Sequence, residues 1–139
     1  MFANLFSRKS IEEIEEITAP LALAALMVRI AKSDDDYATA ECERIDAVLS
    51  VLYSLSTAQA SALRLRAEAL EADAPDTVRF TRAIKEEVPY EQRFDVVRAL
   101  WQVVLADGAR DDEEDALMRL LASLLGVNDR DSALARQQA

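Results

Sequence analysis

The sequence predicts an all-α fold, a single helical bundle of about seven to eight helices built around two pseudo-symmetric helical hairpins. Only two glycines and three prolines occur among 139 residues, so few positions favour turns. Ala, Leu, Glu, Asp and Arg are abundant, and this mixture favours helices over strands. Because 51% of the residues are hydrophobic, the chain can build the core of one domain.

Residues 1–19 are predicted to form an N-terminal segment with a short helix, ahead of a helical domain over residues 20–139. Isoleucines three positions apart form a ridge on a helix, and we expect this ridge to pack on the domain: Ile11, Ile14 and Ile17. We expect the earlier apolar residues to dock on the domain as well: Phe2, Leu5 and Phe6. Peripheral contact with a membrane surface is the alternative, and the acidic residues that follow favour docking.

The first hairpin of the domain is predicted on both sides of an acidic corner. Pro20 suits the first turn of a helix, where its missing N–H costs no hydrogen bond. Apolar residues follow at helical spacing: Leu23, Leu26, Met27 and Ile30. A polar corner spans Lys32 to Tyr37, and a second helix begins near Ala38 to Thr39. Its apolar stripe consists of Ile45, Val48, Leu49 and Leu52.

Two helices are predicted between the hairpins. Ser56 and Gln59 have the spacing of a capping box, which starts a helix that runs to about Ala72. Asp76 is a favourable N-cap for a shorter helix through Glu87. Pro89 disfavours a helical conformation at Val88 and is expected to open the next helix.

The second hairpin is the clearest in the chain. Its first helix carries the stripe Phe94, Val97, Leu100, Trp101 and Val104, and it ends at Asp107–Gly108. Asp111 and Glu114 have capping-box spacing for a helix with the stripe Leu117, Leu120, Leu121, Leu124 and Leu125. Gly126 ends that helix. Asp129 is expected to cap a short C-terminal helix through Leu134.

The two hairpins superpose with a shift of 73 positions. The shift places Asp34 on Asp107 and Glu41 on Glu114. Flanking apolar residues also coincide: Met27 with Leu100, Ile30 with Val103, Ile45 with Met118, Val48 with Leu121, and Leu52 with Leu125. A helical hairpin cannot bury its apolar face alone, so we expect two hairpins to pack across a pseudo-twofold axis.

Composition excludes several classes of function. A net charge of -10 repels phosphate backbones, which argues against nucleic-acid binding and favours cations or a basic protein partner. Histidine is absent and no Gly-rich phosphate loop is present, so no enzyme site is predicted. The lone Cys42 is interpreted as a partly buried structural residue in a reduced, cytoplasmic protein. No apolar run approaches the roughly 20 residues of a transmembrane helix.

The corner Ala106-Asp107-Gly108, followed by Glu114, resembles the TerB-like (tellurite resistance protein B) domain, in particular a small bacterial branch of that family. The resemblance covers residues 20–136 and extends to three other runs: Arg79-Phe80-Thr81-Arg82, Ala99-Leu100-Trp101 and Leu124-Leu125-Gly126-Val127. It implies a pseudo-symmetric helical bundle linked to tellurite and related stress, with no established enzymatic activity and with acidic residues proposed to bind metal. The first corner departs from the family pattern, because Asp35 stands in place of the glycine.

Four carboxylates are the candidate metal ligands: Asp34, Glu41, Asp107 and Glu114. If they meet at the pseudo-twofold axis, they can bind a hard divalent cation such as Ca²⁺ or Mg²⁺. In the structural interpretation, each Asp accepts hydrogen bonds within its own corner, and each Glu lies at a helix N-terminus. The corner chemistry by itself accounts for the spacing. The corresponding functions are a cation-binding stress protein and a non-enzymatic acidic module that binds a protein partner.

Overall fold

The computed structural model describes residues 17–33, 37–73, 76–107 and 112–139, and of Asp107, Asp112 and Glu113 it describes the backbone only. Within these ranges the fold is all-α, as predicted. Seven helices follow in order: α1 (Ala19–Lys32), α2 (Thr39–Tyr53), α3 (Thr57–Asp73), α4 (Thr77–Glu87), α5 (Tyr90–Val104), α6 (Asp112–Leu124) and α7 (Asp129–Gln138). A 3₁₀ turn, Leu105–Asp107, extends α5. None of the described helices is long and apolar enough to cross a membrane. The predicted helix over residues 11–17 lies almost entirely outside the described residues.

Helix α1 is the centre of the bundle. Thr18 caps it, because its Oγ1 accepts a hydrogen bond from the Leu21 N–H at 3.4 Å, and Pro20 lies in the first turn as predicted. The predicted stripe is buried, but burial extends around nearly the whole helix: Ala19, Leu21, Ala22, Leu23, Ala24, Ala25, Leu26, Met27, Val28, Ile30 and Ala31. Helices α2, α3, α4 and α5 all pack against α1. A helix that is apolar on all sides is stable in water only when other elements surround it.

The connection between α2 and α3 forms as the sequence predicted. The Ser56 N–H donates to Gln59 Oε1 at 2.9 Å, and the Gln59 N–H donates to Ser56 Oγ at 3.1 Å, which completes the capping box. Ser54 ends α2 in the left-handed conformation with φ 54°. Arg64 then ties the two helices together, because its guanidinium contacts Asp46 at 2.7 Å and Glu68 at 2.8 Å.

Helices α4 and α5 meet at an extended residue. Asp76 caps α4 as predicted, since its Oδ1 accepts from the Val78 N–H at 2.9 Å. Val88 is extended, with φ -102° and ψ 118°. Pro89 is not the first helical residue of α5, because its ψ of 153° is not helical. It is the N-cap, and α5 begins at Tyr90. Arg93 holds this connection in place by donating to the carbonyl oxygens of Val88 and Lys85.

The buried face of α6 differs from the predicted leucine stripe. Its deeply buried residues are Met118, Leu121 and Ala122, followed by Leu125 just after the helix, whereas Leu120 is 50% exposed. At 100° per residue, Leu120 lies on the side of the helix away from Met118 and Leu125, so its inclusion in the stripe was wrong. Gly126 ends the helix as predicted, with φ 77° and with the Val127 N–H bonded to the Ala122 carbonyl at 2.9 Å.

Helix α7 is longer than expected, and its cap is one residue earlier. Asn128, not Asp129, is the N-cap, because Asn128 Oδ1 accepts from the Asp131 N–H at 2.8 Å. The helix passes Leu134 and continues to Gln138. Its buried residue Ser132 accepts a hydrogen bond from Trp101 Nε1 at 3.1 Å, and this bond joins α7 to α5.

Helix positions agree with the shift of 73 residues. Helices α2 and α6 begin at Thr39 and Asp112, which the shift superposes. The superposed pairs Met27/Leu100, Ile30/Val103, Ile45/Met118 and Val48/Leu121 are all buried. Helix α1 packs on α3, and α5 packs on α7. The duplication and its pseudo-twofold axis stay predictions, because Asp35 and Gly108 at the two corners lie outside the described residues. The boundary between residues 19 and 20 also stays a prediction.

Candidate functional site

The structure describes the side chains of two of the four predicted ligands. Asp34 lies outside the described residues. Asp107 closes the 3₁₀ turn after α5, and its side chain is outside the described part. Glu41 and Glu114 are described with their side chains, each near the start of the second helix of its hairpin. The predicted meeting of all four carboxylates therefore stays a prediction.

Glu41 has a structural task at the start of α2. Its Oε2 accepts a hydrogen bond from the Ala38 backbone N–H at 3.3 Å. This is the return half of a capping box, and Ala38 has no side-chain oxygen to supply the other half. The carboxylate also lies where the positive end of the helix dipole favours it. This contact with the Ala38 N–H is one that the structural interpretation expects.

Glu114 is in a different environment. It is 5% exposed, which makes it the buried acidic residue of the described side chains. It lies one helical turn before Met118, on the face of α6 that packs into the core. Removing a carboxylate from water is costly unless hydrogen bonds, a basic group or a cation compensate it. The burial of Glu114 therefore distinguishes the second corner from the first.

A complete cation cage is not present in the side chains that the structure describes. Among them, no three Cys, Asp or Glu residues lie close enough together to hold a metal ion. The side chains of Asp34 and Asp107 are not among those described, so this absence concerns Glu41 and Glu114 without their predicted partners. A cation at either corner would need oxygen ligands from the corner residues themselves.

A groove of about 400 Å³ opens where α5, α6 and α7 meet. Trp101 lies at its base, 7% exposed, and the Arg136 guanidinium is 4.9 Å from the centre of the indole ring. Besides Ser132 and Ala133, charged side chains of both signs line the groove: Asp115, Arg119, Asp129 and Arg136. Sequence reasoning placed Trp101 in the core, which is confirmed, but it did not identify the two arginines. Only the packing of α6 and α7 on α5 brings them to this groove.

A partly buried polar network lies between the start of the first hairpin's second helix, α2, and helix α3. The Tyr37 hydroxyl donates to Glu68 Oε2 at 2.6 Å, and Glu68 also contacts Arg64. Burial, followed by the hydrogen bond to Glu68, raises the pKa of Tyr37 far above its ordinary value. Cys42 lies nearby and is partly buried, as predicted. A tyrosine held in its neutral form acts here as a hydrogen-bond donor that fixes the helices.

Comparison with known protein families gives a match over most of the chain. The protein-family model described as tellurite resistance protein TerB matches residues 20–137. No curated protein and no solved structure gives a significant match. The matched range includes all seven described helices almost completely, and it contains both corners with their four predicted ligands.

Proposed function

This chain belongs to the TerB (tellurite resistance protein B) family, and from that premise we propose that it is a non-enzymatic cytoplasmic protein that binds a divalent cation. We propose Ca²⁺ or Mg²⁺ as the cation, in a response to metal or oxyanion stress of the tellurite type. The ligands in this proposal are the corner carboxylates, with Asp107 and Glu114 at the second corner as the principal pair. Asp34 and Glu41 complete the site if the two corners meet.

The burial of Glu114 is the observation that carries this proposal. The residue is 5% exposed and so is largely shielded from water, although it stands only a few residues from a polar corner. Oxygen ligands of this kind are those that Ca²⁺ and Mg²⁺ prefer. Glu41, by contrast, is only half-buried and has a capping role, so we assign the second corner the larger share of cation affinity.

Thermal unfolding in the presence of Ca²⁺, Mg²⁺, Zn²⁺ or Mn²⁺ tests the proposal. A cation that binds only the folded state stabilises it by about 2.7 kcal/mol at a hundred times its Kd, which raises the Tm. Glu114→Gln and Asp107→Asn should each abolish the rise, because they remove charge with little change of shape. Asp129→Asn is the control, since Asp129 is an exposed acidic residue in the first turn of α7. A Tm that no cation changes, or a rise that survives both substitutions, would refute the cation site.

An acidic protein-interaction module is the second candidate. The net charge of -10 favours it, together with large apolar side chains that are exposed on the surface, such as Val51 at 84% and Leu120 at 50%. In this function the corners only build the fold, and a basic face of a partner protein binds the acidic surface.

Affinity capture from a native lysate at low and high salt separates the two functions. If the protein is an interaction module, a partner should be recovered at low salt and lost at high salt. The Glu114→Gln variant should still bind this partner, and cations should not change the Tm. Failure to recover a salt-sensitive partner would count against the module. A partner that is recovered only when a cation is present, and not by the Glu114→Gln variant, would favour the cation-binding function.

A further inference from the structure

A groove of about 440 Å³ lies beside the start of α1, between the second half of α3 and the first turn of α4. Its apolar lining consists of Ile17, Leu21, Ala69 and Leu70. Its rim carries two arginines, Arg66 from α3 and Arg79 from α4. The groove therefore combines an apolar lining with two arginines and one aspartate, Asp73, in a protein whose net charge is -10.

The two arginines differ from those that hold the bundle together. Arg29 and Arg64 are largely buried, and each forms an ion pair with a glutamate or aspartate. Arg66 and Arg79 are exposed, and within the described part of the chain no carboxylate lies within 4.0 Å of either guanidinium. Even Asp73, which lines the same groove, forms no ion pair with them. Two basic groups beside an apolar surface are suited to an acidic segment with apolar side chains.

The chain enters the fold at this groove. Ile17 lines it, and sixteen residues precede Ile17 in the sequence. The nearest six read Ile-Glu-Glu-Ile-Glu-Glu, residues 11–16, so isoleucines recur every third position up to Ile17 and four glutamates lie between them. This segment carries the two features that the groove complements: apolar residues in the register of Ile17, and a charge opposite to that of Arg66 and Arg79.

We propose that residues 11–16 of this chain bind in the groove of the same molecule. Ile11 and Ile14 extend the apolar surface that Ile17, Leu21 and Leu70 give the groove, and the glutamates lie near Arg66 and Arg79. Because Ile17 is already in place, the segment is held at high effective concentration beside its site. The sequence pattern predicted that this ridge packs on the domain. The groove adds the location of the contact and the two basic residues that select an acidic segment.

Amide hydrogen exchange in the full-length chain tests the proposal, with the backbone amides of residues 11–16 as the readout. Bound in the groove, they should exchange at least about tenfold more slowly than in an unstructured chain. The double substitution Arg66→Glu with Arg79→Glu should remove this protection, because it places like charges together. Arg119→Glu with Arg130→Glu is the matched control: it makes the same change of net charge at two exposed arginines of α6 and α7, away from the groove.

Charge reversal on the segment supplies the rescue. Lysines in place of Glu12, Glu13, Glu15 and Glu16 should restore protection in the Arg66→Glu, Arg79→Glu protein. Exchange at the unstructured rate in the wild-type chain would overturn the proposal. So would protection that is insensitive to the arginine reversal, which would mean that the segment binds elsewhere or is stabilised by itself. Protection that increases with protein concentration would also overturn it, because the occupant would then be the segment of a second copy.

Discussion

The indole N–H of Trp101 donates its hydrogen bond to a hydroxyl group. Trp101 is 7% exposed, and its Nε1 donates to Ser132 Oγ at 3.1 Å. Ser132→Ala leaves this buried donor without that acceptor, and we expect the free energy of unfolding to fall by about 1–3 kcal/mol in urea titrations. Ser123→Ala, at an exposed position of α6, is the control and should change stability by no more than about 0.5 kcal/mol. Equal effects of the two substitutions would show that the hydrogen bond contributes nothing.

Tyr53 makes the stability of the fold decrease at alkaline pH. Burial, with a smaller effect from the charge of Glu87, raises the pKa of Tyr53 to about 12. In the unfolded chain a tyrosine ionises near pH 10, so from about pH 10 to 12 the unfolded state loses a proton that the folded state keeps. The stabilisation is complete below pH 10 and is lost as the pH rises through 12.

Tyr53→Phe removes this ionisation, and urea titrations between pH 9 and pH 12 should therefore show a shallower loss of stability in the variant. Slopes that coincide for the wild type and the variant would contradict the assignment to Tyr53.

At the scale of the helical elements, two left-handed residues end helices with opposite consequences. Gly126 has φ 77° after α6, and a Cβ added there would lie 3.4 Å from Arg93 Nη1, so Gly126→Ala should destabilise the protein mainly through backbone strain of about 1–2 kcal/mol. Ser54 has φ 54° after α2 and already bears such strain, so Ser54→Gly should be neutral or stabilise the protein by up to about 1 kcal/mol. Thermal unfolding of both variants checks the opposite signs. Effects of the same sign would contradict this account.

The sequence predicted helices well where local chemistry decides them, and less well where packing does. Ser56 and Asp76 act as caps through bonds to neighbouring residues, and both caps were predicted. Leu120 was placed in the buried stripe because its leucine spacing is helical, but contacts with other helices bury Met118, which the stripe omitted, and leave Leu120 exposed. Asn128 and Asp129 are both good N-caps by residue type, so only the geometry of the turn after Gly126 decides between them.

The candidate site shows the same division. Sequence spacing could place Glu41 and Glu114 at the same point of two similar hairpins, because both follow an acidic corner. It could not predict that Glu114 is buried while Glu41 is only half-buried, since burial depends on which helices cover each corner. The arginines around Trp101 come from α6 and α7, and no local pattern relates them.

At the scale of the whole molecule, stability depends on the burial of α1. Leu26 is fully buried at its centre, and Leu26→Ala should cost about 2–5 kcal/mol through lost burial and the cavity that remains. Leu65→Ala, the same substitution at a residue of α3 that is 56% exposed, should cost no more than about 0.5 kcal/mol. Urea titrations of both variants measure the difference. Similar losses would contradict the central position of α1.

Because α1 is surrounded by α2, α3, α4 and α5, its burial has a consequence for the protein as it is made on the ribosome. A nascent chain is synthesised from its amino end, so this apolar helix emerges before any of the helices that cover it. The last of those, α5, ends at Val104, and until that residue has left the ribosome part of α1 remains in contact with water. Any chain that stops before Val104 therefore exposes apolar surface of α1 to other proteins. Truncated products should aggregate or be bound by chaperones.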